Sequence, residues 1–255
     1  MRVTRRQVVH GSPEELNVDS LGRTLTLGVV GLLALPVLLS ACSSSPPSAT
    51  DLLNKAATQI GQAQSVSFSD VTHVGSSTET LSGSLSAAAA VESSYVGSTL
   101  QLEVRLVGTN LYVYSPVSTI LQNSLGLSTA SAQANVNKWI ELLPTDSPYG
   151  KIITSLSINS VVSIYMPGTN TAKALSSSKL AGKTVIPVTS FLTTSNGTQR
   201  TTIYLDASTS LPAGGSIDVH TVTVAESKVA VFHDWNARVS VSAPSAVTAF
   251  TALAQ

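Results

Sequence analysis

Across 255 residues, 14 Lys and Arg balance 14 Asp and Glu, charged residues make up only 11 %, and Cys42 is the single cysteine. A neutral balance without a basic stripe argues against a nucleic-acid partner and against a polybasic membrane patch. One cysteine excludes an internal disulfide, so the fold must rest on its core alone.

The first 23 residues hold Arg5-Arg6 in a context like a twin-arginine export signal. Gly11 to Ser20, with Glu14, Glu15 and Asp19, separates that pair from the apolar segment. The other reading is a start near Val18 or Leu21, with Arg23 as the basic end of the signal peptide. The apolar run Leu25–Leu39, broken by Pro36, leads into Leu39-Ser40-Ala41-Cys42, and a Ser/Pro stretch from Ser43 to Ser48 follows. The run is short for a bilayer core of about 30 Å. Small residues at Ser40 and Ala41 before a thiol resemble a bacterial lipobox. Leu39, Ser40 and Ala41 would then be read by the signal peptidase, and Cys42 would take the acyl chains. The layout predicts a signal peptide over 1–41, a lipidated Cys42 with a tether over 42–50, and one domain over 51–250. It places the protein at the outer face of the cytoplasmic membrane, held there by the Cys42 acyl chains.

Thr50 or Asp51 is expected to cap a helix carrying Leu52, Leu53, Ala56, Ala57 and Ile60 on one face, ending near Gly61. Period-two text follows in Ser65–Val74, in Leu81 to Ala87, most cleanly in Leu100 to Leu106, and in Leu111–Tyr114. These four segments predict an antiparallel meander with one apolar face. Helices are expected after Pro116 and over Thr129–Asn137, then a strand over Lys138–Leu142. An apolar segment from Tyr149 to Ile164 is expected to be mostly buried in either form. Gly182 to Phe191 reads as a strand in which Pro187 marks an edge or bulge, and Asn196-Gly197 as its hairpin turn into Thr201–Leu205. Leu211 to Gly215 reads as a turn into Ser216–Val224, with a final pair over Lys228–Phe232 and Arg238–Val241. The order predicts an α+β fold, with one long curved antiparallel sheet wrapped over helices.

Catalytic motifs are weak. Ser176-Ser177-Ser178-Lys179 fits S-x-x-K without its companion motifs in order. Ala181-Gly182-Lys183-Thr184 ends like a phosphate loop, but Ser177 replaces its first glycine and a strand follows. The four histidines show no metal-ligand spacing, and His233-Asp234 is expected to be a turn. No metal, cofactor or catalytic residue is expected.

Several stretches together resemble the actinobacterial LppX/LprG-type envelope lipoproteins, which share the half-open barrel of the LolA/LolB carriers. They are the lipobox and tether, Ala63-Gln64-Ser65-Val66-Ser67-Phe68, Leu111-Tyr112-Val113, Lys138-Trp139-Ile140, Leu211-Pro212, and Val231-Phe232-His233-Asp234-Trp235 through Ala243-Pro244. The resemblance implies a half-barrel form for the curved antiparallel sheet. It also implies carriage or presentation of an acylated lipid or glycolipid in an apolar hollow, without catalysis, and with an envelope transporter as partner. The alternative is a structural or sensory envelope lipoprotein that binds a protein. Independently of the resemblance, Ile120, Leu121, Leu125, Ile152, Ile153, Leu156, Val161 and Val162 are more apolar residues than one packed stripe uses. With aromatics at 5 %, they are the candidate lining of a cavity.

Overall fold

Ser48 opens the first helix, α1 (Ala49–Gln62), where its hydroxyl accepts the Asp51 amide hydrogen at 3.1 Å. That bond satisfies one of the N–H groups every helix start leaves unpaired, and the Asp51 carboxylate lies at the positive end of the helix dipole. The computed structural model describes residues 47–221 and 225–253. The expected tether therefore gives way to helix before residue 50, with Ser48 as the cap in place of Thr50 or Asp51. The segment 1–41 and its residues Leu39, Ser40 and Ala41, like Cys42, lie outside the described residues. Leu52, Leu53, Ala56 and Ile60 are buried on one face of α1, while Ala57 is exposed.

The chain then forms a five-stranded meander, β1 (Ser65–Val74), β2 (Ser77–Ser86), β3 (Ala89–Val96), β4 (Thr99–Val107) and β5 (Asn110–Tyr114). Strand β3 is one more than the alternation predicts. Its inward positions are Ala90, Glu92 and Ser94, which carry too little apolar contrast to show a period of two. Two short helices, α2 (Ser118–Leu125) and α3 (Thr129–Ala134), lead to β6 (Trp139–Leu142). The Tyr149–Ile164 segment resolves into α4 (Tyr149–Ser155) and α5 (Ile158–Ser163). They are separated at Leu156, and α5 starts on a Ser157–Ser160 capping box. Helices this short are not stable alone and are held by what they cover.

Two short strands, β7 (Lys173–Ala174) and β8 (Ser178–Leu180), precede a second meander of β9 (Lys183–Thr194), β10 (Gly197–Asp206), β11 (Pro212–Thr221) and β12 (Ala225–His233). Strand β12 pairs antiparallel with β1 and joins the two meanders into one thirteen-stranded sheet. The path of that sheet runs from β13 (Val247–Ala249) to β7 without closing on itself. The fold is α+β, an open curved sheet with the helices on its concave side.

Three expectations for the second half are corrected. Pro212–Gly215 is buried strand, and the turn lies just before it, around Ala207 to Thr209. Arg238–Val241 is not a strand. The Asn236 side chain accepts from the Gln64 amide, and its own amide donates to Ser65, which turns the chain away from β12. The last strand, β13, instead pairs parallel with β6, an exception to the antiparallel pattern, and the domain continues past residue 250 into a short 3₁₀ turn, Phe250–Ala252. Pro187 fits its strand because its carbonyl faces the outer side of β9, accepting from Leu175. Its missing N–H points to that same side, which only β7 and β8 cover.

Candidate functional site

The concave face changes character along its length. At its middle, Tyr165, just after α5, is fully buried. Its ring lies over Gly215, where an added Cβ would come within 2.6 Å of the ring, so only glycine fits. It meets the Phe232 ring edge-on at 5.9 Å. Its hydroxyl donates to the Asp70 carboxylate at 2.6 Å, and the Lys228 ammonium lies 3.2 Å from the same oxygen. Burial and the Asp70 carboxylate together push the Tyr165 hydroxyl well above its usual range, so it keeps its proton and remains a donor. Asp70 continues the inward phase of Val66 and Phe68.

One end of the face is open. Between the end of α1, the β2–β3 corner, β4 and the α4–α5 junction lies a hollow of about 760 Å³. Ile60, Leu85, Leu106, Ile153, Leu156 and Ile158 supply its apolar walls. Its roof is pinned at a distance, where the Tyr149 hydroxyl at the start of α4 donates to the Thr109 carbonyl on the β4–β5 turn at 2.8 Å. A second hollow, of about 640 Å³, flanks the other end of α1, between Leu52, Ile186 and the Ala172–Ser177 segment. Both volumes fall within the ~300–1,000 Å³ of small-molecule sites. Glu92 sits further along the face from the first hollow, beside Gly83 and Val104 in the pairing register. Burial raises its carboxyl from 4.5 to about 7.

The eight cavity residues expected from sequence separate into four groups. Ile153 and Leu156 line the 760 Å³ hollow. Ile120 lines a different recess on β1–β3, and Ile152 packs partly buried against the core. Leu121, Leu125, Val161 and Val162 are core residues, between 0 and 8 % exposed; their volume is used in packing and lines none of these hollows. Ile60, Leu85 and Leu106 escaped the sequence reading because strand and helix alternation marks them as ordinary core positions. Asp70 did carry a signal, as a charge in the inward phase of a strand; Glu92 did not, because β3 shows no period of two.

The acid–base alternatives do not assemble. His233 and Asp234 contact each other at 2.8 Å, both exposed, with Asp234 in a left-handed turn. Lys179 donates to Thr184, and Ala181-Gly182 is the tight turn of the β8–β9 hairpin. Among the described residues no group of three His, Cys, Asp or Glu is placed to hold a metal, and no helix is long and apolar enough to cross a membrane.

No protein-family model matches the sequence, and no curated protein matches it. In fold the chain is similar to the lipoprotein LppX of Mycobacterium tuberculosis, with a TM-score of 0.46 and 13 % identity over 76 % of this chain and 98 % of that one. It is also similar to LprF from Mycobacterium bovis, with a TM-score of 0.43 and 10 % identity over 77 % and 96 % of the two chains. A more distant likeness is to MucB in its complex with MucA from Pseudomonas aeruginosa, at a TM-score of 0.34 and 14 % identity, where 77 % of this chain spans 58 % of MucB.

Proposed function

We propose that this chain is an envelope lipoprotein, acylated at Cys42 and anchored at the outer face of the cytoplasmic membrane. In this reading its hollow holds the acyl chains of a lipid or glycolipid for carriage or presentation, with an envelope transporter as partner. The observation that carries the reading is the 760 Å³ hollow whose walls are Ile60, Leu85, Leu106, Ile153, Leu156 and Ile158. Hydrocarbon laid against such walls removes apolar surface from water on both sides of the contact. The reading requires no chemical step and no cofactor.

Mass spectrometry of lipids extracted from the purified protein tests it, with Ile153→Trp as the paired variant. Bound acylated lipid in the wild type, reduced in the variant at unchanged melting temperature, is the expected result. A wild type free of lipid, together with a variant that melts lower because the ring overpacks a filled core, overturns it. For the anchor, Cys42→Ala should leave the membrane fraction, because the acyl chains supply the attachment at about 0.8 kcal/mol per buried CH₂.

The alternative, binding of a protein partner, draws on the outer edge of β9. Phe191 and Leu192 are 60 % and 59 % exposed there, beyond the reach of the β7 and β8 pairings. An unpaired edge of this kind can accept an added strand.

A further inference from the structure

A third recess on the concave face differs in chemistry from both hollows. It encloses about 350 Å³ against β1, β2, β3 and α2. Along β2 it lies four residues from the first hollow, Leu81 against Leu85, or about 13 Å at the rise of a strand.

Asp70, 4 % exposed, forms part of its lining. One carboxylate oxygen, Oδ2, takes both the Tyr165 hydroxyl and the Lys228 ammonium. The other, Oδ1, receives among the described residues only the Thr72 hydroxyl at 3.5 Å, the far limit of a hydrogen bond. A carboxylate offers about four acceptor positions and an ammonium three donors, so Asp70 and Lys228 both reach the recess with capacity left over. Beside them the side chains of Glu79 and Ser94, in phase with Leu81 and Asp70, make no hydrogen bond among the described residues. Leu81 and Ile120 add apolar surface.

Charge narrows the ligand. An anion would meet the Asp70 and Glu79 carboxylates, with the one ammonium already paired, and a cation would have to lie beside Lys228. A neutral hydroxyl meets neither penalty, because it donates and accepts at once: it can give its proton to Asp70 Oδ1 and accept from Lys228. We propose that this recess binds a neutral polyhydroxyl ring, a sugar or cyclitol. Asp70 and Lys228 grip one hydroxyl, Glu79 and Ser94 take its neighbours, and Leu81 and Ile120 pack on the C–H face. The ring can be a free saccharide or the head of an acylated lipid. Only the second source rests on the function proposed above.

Titration of the purified full-length protein by saturation-transfer NMR separates the sources, using glucose and myo-inositol as free rings. Octyl glucoside and octylphosphocholine, both below micelle concentration, then present two different heads on one chain. Saturable binding of glucose or inositol, weakened at least tenfold by Ser94→Val and by Glu79→Gln, supports a free ring. An at least tenfold preference for octyl glucoside over octylphosphocholine, abolished by the same variants, supports a lipid head. Ile153→Trp should weaken both octyl probes while leaving glucose and the head preference unchanged, so a failure of the acyl hollow is read separately. Ser94→Ala repeats the measurement if Ser94→Val does not fold. Absence of any ring binding or head preference, binding unchanged in the variants, or tighter binding of inorganic phosphate than of either ring would overturn the proposal.

Discussion

The middle of the concave face is closed by interlocking rings, and the end beneath α4 and α5 is walled mainly by aliphatic side chains, with Gln64, Ser86, Ser157 and Asn159 beside them and no aromatic ring. At the middle, a glycine at 215 admits the Tyr165 ring, which in turn meets Phe232 and Asp70. At the open end, Ile60, Leu85, Leu106 and Leu156 face one another around 760 Å³ of space. The same sheet is thus filled or hollow according to where its few aromatics fall. A large flat ring bridges the gap between a curved sheet and its helices, and branched aliphatics of half its reach do not.

The sharpest way to break this comparison is to truncate one aliphatic residue in each region. Leu121 is fully buried, and Leu121→Ala should cost about 2–5 kcal/mol. Ile153 borders open space, and Ile153→Ala should cost only ~1 kcal/mol, because it creates no new cavity and loses only part of its transfer energy. Urea unfolding of both variants measures the difference. Equal losses would mean that the end beneath α4 and α5 is packed as tightly as the core.

A second effect, at most about 3 kcal/mol, comes from Glu92, whose carboxyl is raised from 4.5 to about 7. The folded chain holds that proton more tightly than the unfolded one. Its contribution is therefore fully present below pH 4.5 and is lost as pH rises through 7. Glu92→Gln should flatten the stability profile between those values and leave the variant more stable than wild type at pH 8, as followed by denaturant melts across pH. Asp206 shifts the other way, held down first by the Ser208 hydroxyl and then by the Ser208 and Thr209 amides. It contributes stability above its ordinary 3.8, lost only as pH falls below that value, so the two windows do not overlap.

Tyr165→Phe keeps the ring and removes one hydrogen bond to a buried carboxylate. The expected cost is about 2 kcal/mol, with Lys228 still paired to Asp70. A chevron or equilibrium melt that shows no loss would mean that ring packing alone closes the middle of the face. The smallest effect lies outside both regions. Ala181 adopts φ +48° in the β8–β9 turn, and Ala181→Gly should gain ~0.5 kcal/mol, the left-handed strain relieved less the extra chain entropy of glycine.

From the sequence by itself came the opening helix, the run of strands with their inward alternation, the Asn196-Gly197 hairpin and the α+β class, because each depends on local period or turn chemistry. The open, curved sheet was legible from the order of these elements. The sequence did not reveal β3, whose inward residues are Ala90, Glu92 and Ser94, or the parallel pairing of β13 with β6, since neither has a local signature. It also could not sort Ile153 and Leu156, which border space, from Leu121 and Val162, which fill it. All four are aliphatic residues at buried-type spacing. Whether such a residue meets a partner is decided by what a distant strand presents, here Leu85 and Leu106 in one place and the ring of Tyr165 over Gly215 in another. That choice belongs to the tertiary structure, because contact across the sheet depends on curvature and reach and leaves no periodicity in the chain.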